Sequence, residues 1–175
     1  VMDMQYAKTE VEPISERTPQ FKNVYISDMT GSTNRVGLLR GLAEMPIENV
    51  SFNNINMQAK AGFSLENAQK ITFHNVQVDV ANEPFIKAKN VSLLEVRAIQ
   101  NFTPLADRPL LILEDVQGVN IQQNYPMAGT NVFLELVGQQ NTDVFVHSNN
   151  FSQVKQIAVG ELGAAVISNN IETKK

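Results

Sequence analysis

One short pattern recurs along the whole chain and limits what it can fold into. Its clearest copy is Ile47-Glu48-Asn49-Val50-Ser51-Phe52-Asn53-Asn54-Ile55-Asn56-Met57. Val50 and Phe52 stand two apart, so in a strand both face one side and Ser51 the other. Asn53-Asn54 breaks the alternation, which resumes as Ile55-x-Met57. This reads as a short strand, a tight polar corner and a second short strand. With the first apolar residue of each core as an anchor, the copies are Val24-Tyr25-Ile26, Val50-Ser51-Phe52, Ile71-Thr72-Phe73, Val91-Ser92-Leu93, Val119-Asn120-Ile121, Val144-Phe145-Val146 and a degenerate Ala164-Ala165-Val166. Successive anchors differ by 26, 21, 20, 28, 25 and 20 residues. Asn, Asp or Ser close most cores: Asp28, Asn54, Asn75, Ser148-Asn149-Asn150 and Ser168-Asn169-Asn170.

A second strand precedes most anchors, as Gly37-Leu38-Leu39, Phe63-Ser64-Leu65, Phe85-Ile86, Leu110-Leu111-Ile112-Leu113, Val132-Phe133-Leu134-Glu135-Leu136 and Ile157-Ala158-Val159. Short polar turns such as Glu66-Asn67-Ala68-Gln69-Lys70, Lys87-Ala88-Lys89-Asn90 and residues 138–143 join it to the anchor. Each repeat then holds two or three short strands and almost no room for a helix. A leucine-rich solenoid needs Asn three residues after its second core leucine. Here the polar residue falls two after, as Asn54 does after Phe52, and leucine does not dominate the anchors. The pattern predicts an all-β, right-handed parallel β-helix of about seven coils in a single domain, residues 1–175. Coils stacked about 4.8 Å apart make a rod of roughly 34 Å. Asparagines at the corners are expected to hydrogen-bond from coil to coil, since an amide both donates and accepts.

Composition removes several classes of function. Lys and Arg number 14 against 18 Asp and Glu, net charge -4, with no basic patch interleaved with aromatics, so nucleic acid is not an expected partner. The absence of Cys excludes disulfides and thiolate metal sites. No apolar run approaches 18 residues, so no membrane span is expected, and no signal peptide opens the chain. The opening Val1-Met2-Asp3-Met4 alternates like the inside of a strand, which reads as a piece cut from a longer β-helix. A first coil left uncovered in this way predicts self-association through that end. Residues 7–20 form a polar excursion, and residues 98–109 and 123–130 interrupt the rhythm again; such loops on a regular scaffold are where function gathers. The charged tail Glu172-Thr173-Lys174-Lys175 is suited to shielding a last strand edge.

With the repeat established, the chain resembles the C-terminal part of a bacterial glycoside hydrolase family 28 protein, the polygalacturonase-like family. The residues that carry the resemblance are Met4-Gln5-Tyr6, then Thr18-Pro19-Gln20-Phe21-Lys22-Asn23-Val24-Tyr25-Ile26-Ser27, then Gly41-Leu42-Ala43-Glu44-Met45-Pro46-Ile47-Glu48-Asn49-Val50. It covers roughly residues 1–120, and the rest fits as further coils. The resemblance implies a parent enzyme that hydrolyses galacturonide links of pectin-type polysaccharide with inversion, outside the cell or in the periplasm, without a cofactor. It also implies that Tyr6 contacts the sugar. The family's acids in N-T-D and D-D motifs, its G-H-G histidine and its R-x-K carboxylate grip have no counterparts here. No catalytic residue is therefore assigned, and the chain alone is expected to be inactive. The alternative is a non-catalytic β-helix, either a stalk or a carbohydrate-binding module.

Other candidate residues have plainer explanations. Asn141-Thr142-Asp143 spells N-T-D, but a catalytic acid needs a second carboxyl group facing it, and Asn and Asp in a turn need no further reason. His74 and His147 follow core apolar residues, on outward positions with no converging ligands, so no metal site is expected. Glu10, Glu12 and Glu16 lie with Lys8 and Arg17 in the first excursion and read as a solvated loop rather than a Ca²⁺ site. The four glycosylation-like triplets at Asn49, Asn90, Asn101 and Asn150 arise largely from the repeat itself. Met2, Met4, Met29, Met45 and Met57 are read as core filling.

Overall fold

The computed structural model describes residues 1–5, 13–80, 82–103 and 106–172. Tyr6, Glu10 and Glu12 lie outside the described residues. The strands are β1 (Met2–Asp3), β2 (Lys22–Arg40), β3 (Ile47–Val80), β4 (Ile86–Gln100), β5 (Leu111–Glu114), β6 (Gln117–Gln122), β7 (Val132–Val137), β8 (Thr142–His147), β9 (Asn150–Phe151), β10 (Gln156–Gly160), β11 (Ala165–Ser168) and β12 (Ile171–Glu172). One 3₁₀ turn, Leu162–Ala164, is the only helical element among the described residues. Every strand pairing among the described residues is parallel. The chain forms a parallel β-helix of about six turns.

The 34 residues of β3 would span about 110 Å if straight. They wrap around the solenoid instead, because single residues in the left-handed region turn the backbone without ending the strand. These residues stack into three corner columns. Asn23, Asn49, Lys70, Leu93, Gly118 and Asp143 form one, all with positive φ. Asp28, Asn54, Asn75, Ala98, Gln123, Ser148 and Asn169 form the second, and Asn67, Asn90, Asp115 and Gly138 the third. Asn and Asp dominate because they tolerate this conformation better than other residues with a Cβ.

Three sheets run between these corners. The first stacks Gly37, Phe63, Ile86, Leu111, Leu134 and Ala158, with Leu39, Leu65, Ala88, Leu113 and Leu136 two residues on. The second stacks Val24 on Val50, Ile71 on Leu94, then Val119, Val144 and Ala165. Asn75 bonded to Asn54 carries this column from Val50 to Ile71. The column thus has seven members, six steps apart, and those steps are 26, 21, 23, 25, 25 and 21 residues.

Two anchors therefore shift from their sequence-based positions. The fourth core is Leu94-Glu95-Val96, while Val91 lies over Ala68 around the corner. The last is Ala165-Val166-Ile167, one residue later than Ala164. In coil four, Leu93 takes the left-handed corner and is 54% exposed, so Val91-Ser92-Leu93 mimics a strand core without being one.

The third sheet carries Ile55, Val76 and Ile99 inward. Its interior column continues as Asn124, Asn149 and Asn170. Four phenylalanines fill the wide part of the core: Phe63 lies 5.0 Å from Phe52, 4.8 Å from Phe73 and 6.1 Å from Phe85. Phe52 and Phe73 stack one coil apart at 5.1 Å. Met4 and Met57 are buried as read, but Met29, in the first complete coil, is 41% exposed.

Candidate functional site

With the interior filled by apolar side chains, chemistry has to come from the outward positions of the three sheets. The expected residues do not form a site. Asn141 is buried and structural: its Oδ1 accepts the Val116 N–H, and its Nδ2 donates to the carbonyls of Val137 and Gly138. Asp143 supplies a left-handed corner. His147 is bonded through Nε2 to Asn120 Oδ1 at 2.9 Å and through Nδ1 to Ser148 Oγ at 3.1 Å, and His74 is exposed. Among the described residues, no three His, Cys, Asp or Glu side chains converge as a metal site would require.

The outer face of the second sheet is closed on itself. Gln122 donates to Glu95, Arg97 donates to Gln123, and Asn53 to Ser51, so its polar groups largely satisfy one another.

The outer face of the first sheet carries the charge. Asp3, Arg40, Glu66, Lys89 and Glu114 follow one another up the stack with alternating sign. Arg40 lies 3.4 Å from Asp3 and 3.6 Å from Glu66, and Lys89 lies 2.7 Å from Glu114. The hydrogen bond to Glu114 and its charge hold the Lys89 ammonium above the usual lysine range. At the neighbouring corner, the hydrogen bond from Lys70 at 2.6 Å, and its charge, hold the Glu48 carboxyl below its ordinary value. Exposed pairs of this kind add little stability each.

Beside this ladder lies a groove of about 420 Å³, lined by Arg35, Arg40, Lys87, Ser64, Glu83 and Pro84, with Leu38 and Ile112 as its aliphatic lining. Arg35 bonds Glu83 at 3.0 Å across two coils. Lys87 has no ion-pair partner among the described residues. Of its three cations, Arg35 is paired with Glu83 and Arg40 lies between Asp3 and Glu66, so Lys87 is the cation the groove leaves without a carboxylate among the described residues. Glu83 is the sole carboxylate among its lining residues, and Arg35 occupies it. The sequence held a signal for this groove. Ile86 and Ala88 alternate inward, which sends Lys87 and Lys89 outward on a strand, although the stretch reads as a turn. A second hollow of about 270 Å³, lined by Gly138, Gln139, Asn141, Glu161, Gly163 and Ala164, is walled mainly by turn residues and offers no comparable chemistry.

Fold and surface together define a parallel β-helical solenoid with a cation-lined groove on one flank. No protein-family model, curated protein or solved structure matches the chain.

Proposed function

We propose that this chain is the polysaccharide-contacting part of a polygalacturonase-like glycoside hydrolase directed at pectin-type, uronate-bearing polysaccharide. Its own share of the task is binding, not bond cleavage. The observation that supports this most directly is the groove lined by Arg35, Arg40 and Lys87, in which Lys87 has no ion-pair partner among the described residues and Arg35 and Arg40 hold partly exposed carboxylates that a uronate can replace. A uronate chain brings a carboxylate on each sugar, and guanidinium and ammonium groups bind carboxylates through charge-assisted hydrogen bonds. The residues of the resemblance, from Thr18 to Val50, lead into and build the same early coils.

The test is binding of polygalacturonate to the folded chain, with fully methyl-esterified pectin as the uncharged control. Polygalacturonate should bind more tightly, and the difference should shrink as salt is raised. Lys87→Ala should weaken that binding about tenfold. Equal affinity for the esterified polymer, or indifference to Lys87→Ala, sinks the proposal. Release of reducing ends by the chain alone would show that catalytic acids had been overlooked.

A second reading, a non-catalytic carbohydrate-binding β-helix, is favoured by the single carboxylate lining the groove, already held by Arg35. Hydrolysis of a glycosidic bond uses two carboxyl groups on opposite sides of the bond. The two readings share the binding result and differ in what the parent protein does with the bound chain.

A further inference from the structure

The outer face of the third sheet differs from the other two in one respect: four of its amide side chains, on three successive coils, are unpaired among the described residues. Asn56 and Gln58 project outward from β3, beside Thr30 and Ser32 of the coil before. The 21-residue step that joins Asn54 to Asn75, and that brings the Asn82 N–H to the Lys60 carbonyl, sets Gln77 beside Asn56 and Asp79 beside Gln58. Gln100 pairs with Gln77 in the next coil. Tyr125 follows in turn, fixed by the bonds of Ile99 to Asn124 and of Asn150 to the Asn124 carbonyl.

Among the described residues, the side chains of Asn56, Gln58, Gln77 and Gln100 have no hydrogen-bond partner. Nearly every corner asparagine, by contrast, is bonded to the coil above or below. Asp79 Oδ1 also lacks a donor among the described residues and is shut off from water in this arrangement. A carboxylate oxygen in that state gains from any donor to which a side-chain rotation can present it. Two exposed aromatics border the strip: Tyr125, 48% exposed, and Phe102, 47% exposed, which follows the Asn101 that accepts the Val80 N–H.

We infer that this strip is a second binding surface, for a neutral saccharide chain. Each amide offers a donor and an acceptor to sugar hydroxyls. Asn56, Gln77 and Gln100 stand on successive coils about 4.8 Å apart, with Gln58 beside Asn56, and present these groups as a row along the rod. The aromatic rings supply flat apolar area for the C–H face of a sugar ring. The ionic groups along the row, Asp79 and Lys60, are opposite in sign, so the strip gives a uronate no electrostatic advantage. It therefore takes a different class of glycan from the cationic groove, and the two sites occupy different sheets.

The experiment is affinity electrophoresis of the chain in gels containing soluble β-1,4-galactan, xylan or hydroxyethylcellulose, with polygalacturonate in a fourth gel. At least one neutral polymer should retard the protein. The double variant Gln77→Ala/Gln100→Ala, and separately Tyr125→Ala, should weaken that retardation at least tenfold, while Lys87→Ala leaves it unchanged. Circular dichroism of each variant checks that the solenoid is intact; these positions are exposed or half-buried, so the fold should survive. Failure of all three neutral polymers to retard the folded protein overturns the inference, as does neutral-polymer binding that ignores the Gln77/Gln100 double variant. Retardation by polygalacturonate alone, lost in Lys87→Ala, overturns it while leaving the groove's role standing.

Discussion

Asn149 Oδ1 accepts two hydrogen bonds from Asn124, one from its backbone N–H and one from its side-chain Nδ2, both at 2.9 Å. Asn149 then repeats the arrangement upward, giving its own N–H and Nδ2 to Asn170 Oδ1 at 2.9 and 3.0 Å. Below, Ile99 gives its N–H to Asn124 Oδ1 at 3.0 Å. The Nδ2 groups also reach the carbonyls of Val96, Ile121 and Val146 in successive coils. Asn124 and Asn149 are almost fully buried. The apolar column Ile55, Val76, Ile99 thus becomes an amide ladder that satisfies backbone groups the corner would leave without partners.

Asn149→Ala should therefore cost far more than removal of a small polar side chain. It orphans the Asn124 N–H and the Ile121 carbonyl in a dry interior, where each unsatisfied group costs about 1–3 kcal/mol. A loss of about 3 kcal/mol or more is expected in urea unfolding. Asn54→Ala, at an exposed corner bonded to Asp28 and Asn75, should cost less by at least half of that. Equal losses at the two positions would mean the inner ladder has no special role.

Leu93 and Ala98 occupy left-handed corners with φ of 54° and 51°, positions that Asn and Asp fill in most of the other coils. An L-residue with an ordinary Cβ is disfavoured there by roughly 1–2 kcal/mol. Leu93 is more than half exposed, so its side chain contributes little packing. Leu93→Asn should raise stability by about 1 kcal/mol, read as a higher thermal midpoint. Leu93→Val, β-branched and unsuited to positive φ, should lower it.

These same corners explain how far the fold could be read from the chain. Where strict alternation ends in Asn or Asp, as at Val24, Val50 and Ile71, the coil and its register are plain. In coil four a leucine takes the corner, and the apolar pattern slides three residues, to Val91 instead of Leu94. The inner ladder was expected only in part. The repeat predicts stacked asparagines at corners, but nothing local distinguishes the buried Asn149 from the half-buried Asn150 beside it. The groove was hidden for a different reason. Arg35, Arg40 and Lys87 converge only once coils of unequal length are laid in register, and that register depends on the very steps that coil four obscures. The remaining sequence candidate, Tyr6, lies outside the described residues.

Gly37 stacks directly on Phe63 in the first sheet, and a Cβ there would overlap the Phe63 ring. Phe63 cannot retreat, because Phe52, Phe73 and Phe85 surround it. Gly37→Ala should destabilise the protein by about 1–3 kcal/mol through overpacking. Combining it with Phe63→Leu should recover part of that loss, so that the double variant is more stable than the sum of the two single effects implies. Strict additivity in a double-mutant cycle would show that the glycine is not there to make room for the ring.

The Glu48–Lys70 bond at 2.6 Å links a strand to the corner of the next coil and lowers the Glu48 pKa, chiefly through the Lys70 hydrogen bond and secondly through its charge. A carboxyl with a lowered folded-state pKa contributes stability above its unfolded value, and that contribution disappears as pH falls through the folded value. Lys70→Met should therefore lower the thermal midpoint slightly at neutral pH, and the difference should fade in acid as pH falls through the lowered Glu48 value. Lys89, whose pKa is raised by Glu114, gives the opposite trend: its contribution is present at neutral pH and is lost as pH rises past the folded lysine value. Glu114→Gln should accordingly lower the midpoint at neutral pH and converge with the parent protein in strong alkali. Both pairs are exposed, so both differences should be small, and 1 M salt should shrink them further. A Lys70→Met effect that persists undiminished at low pH would assign the loss to packing of the lysine stem instead of to the ion pair.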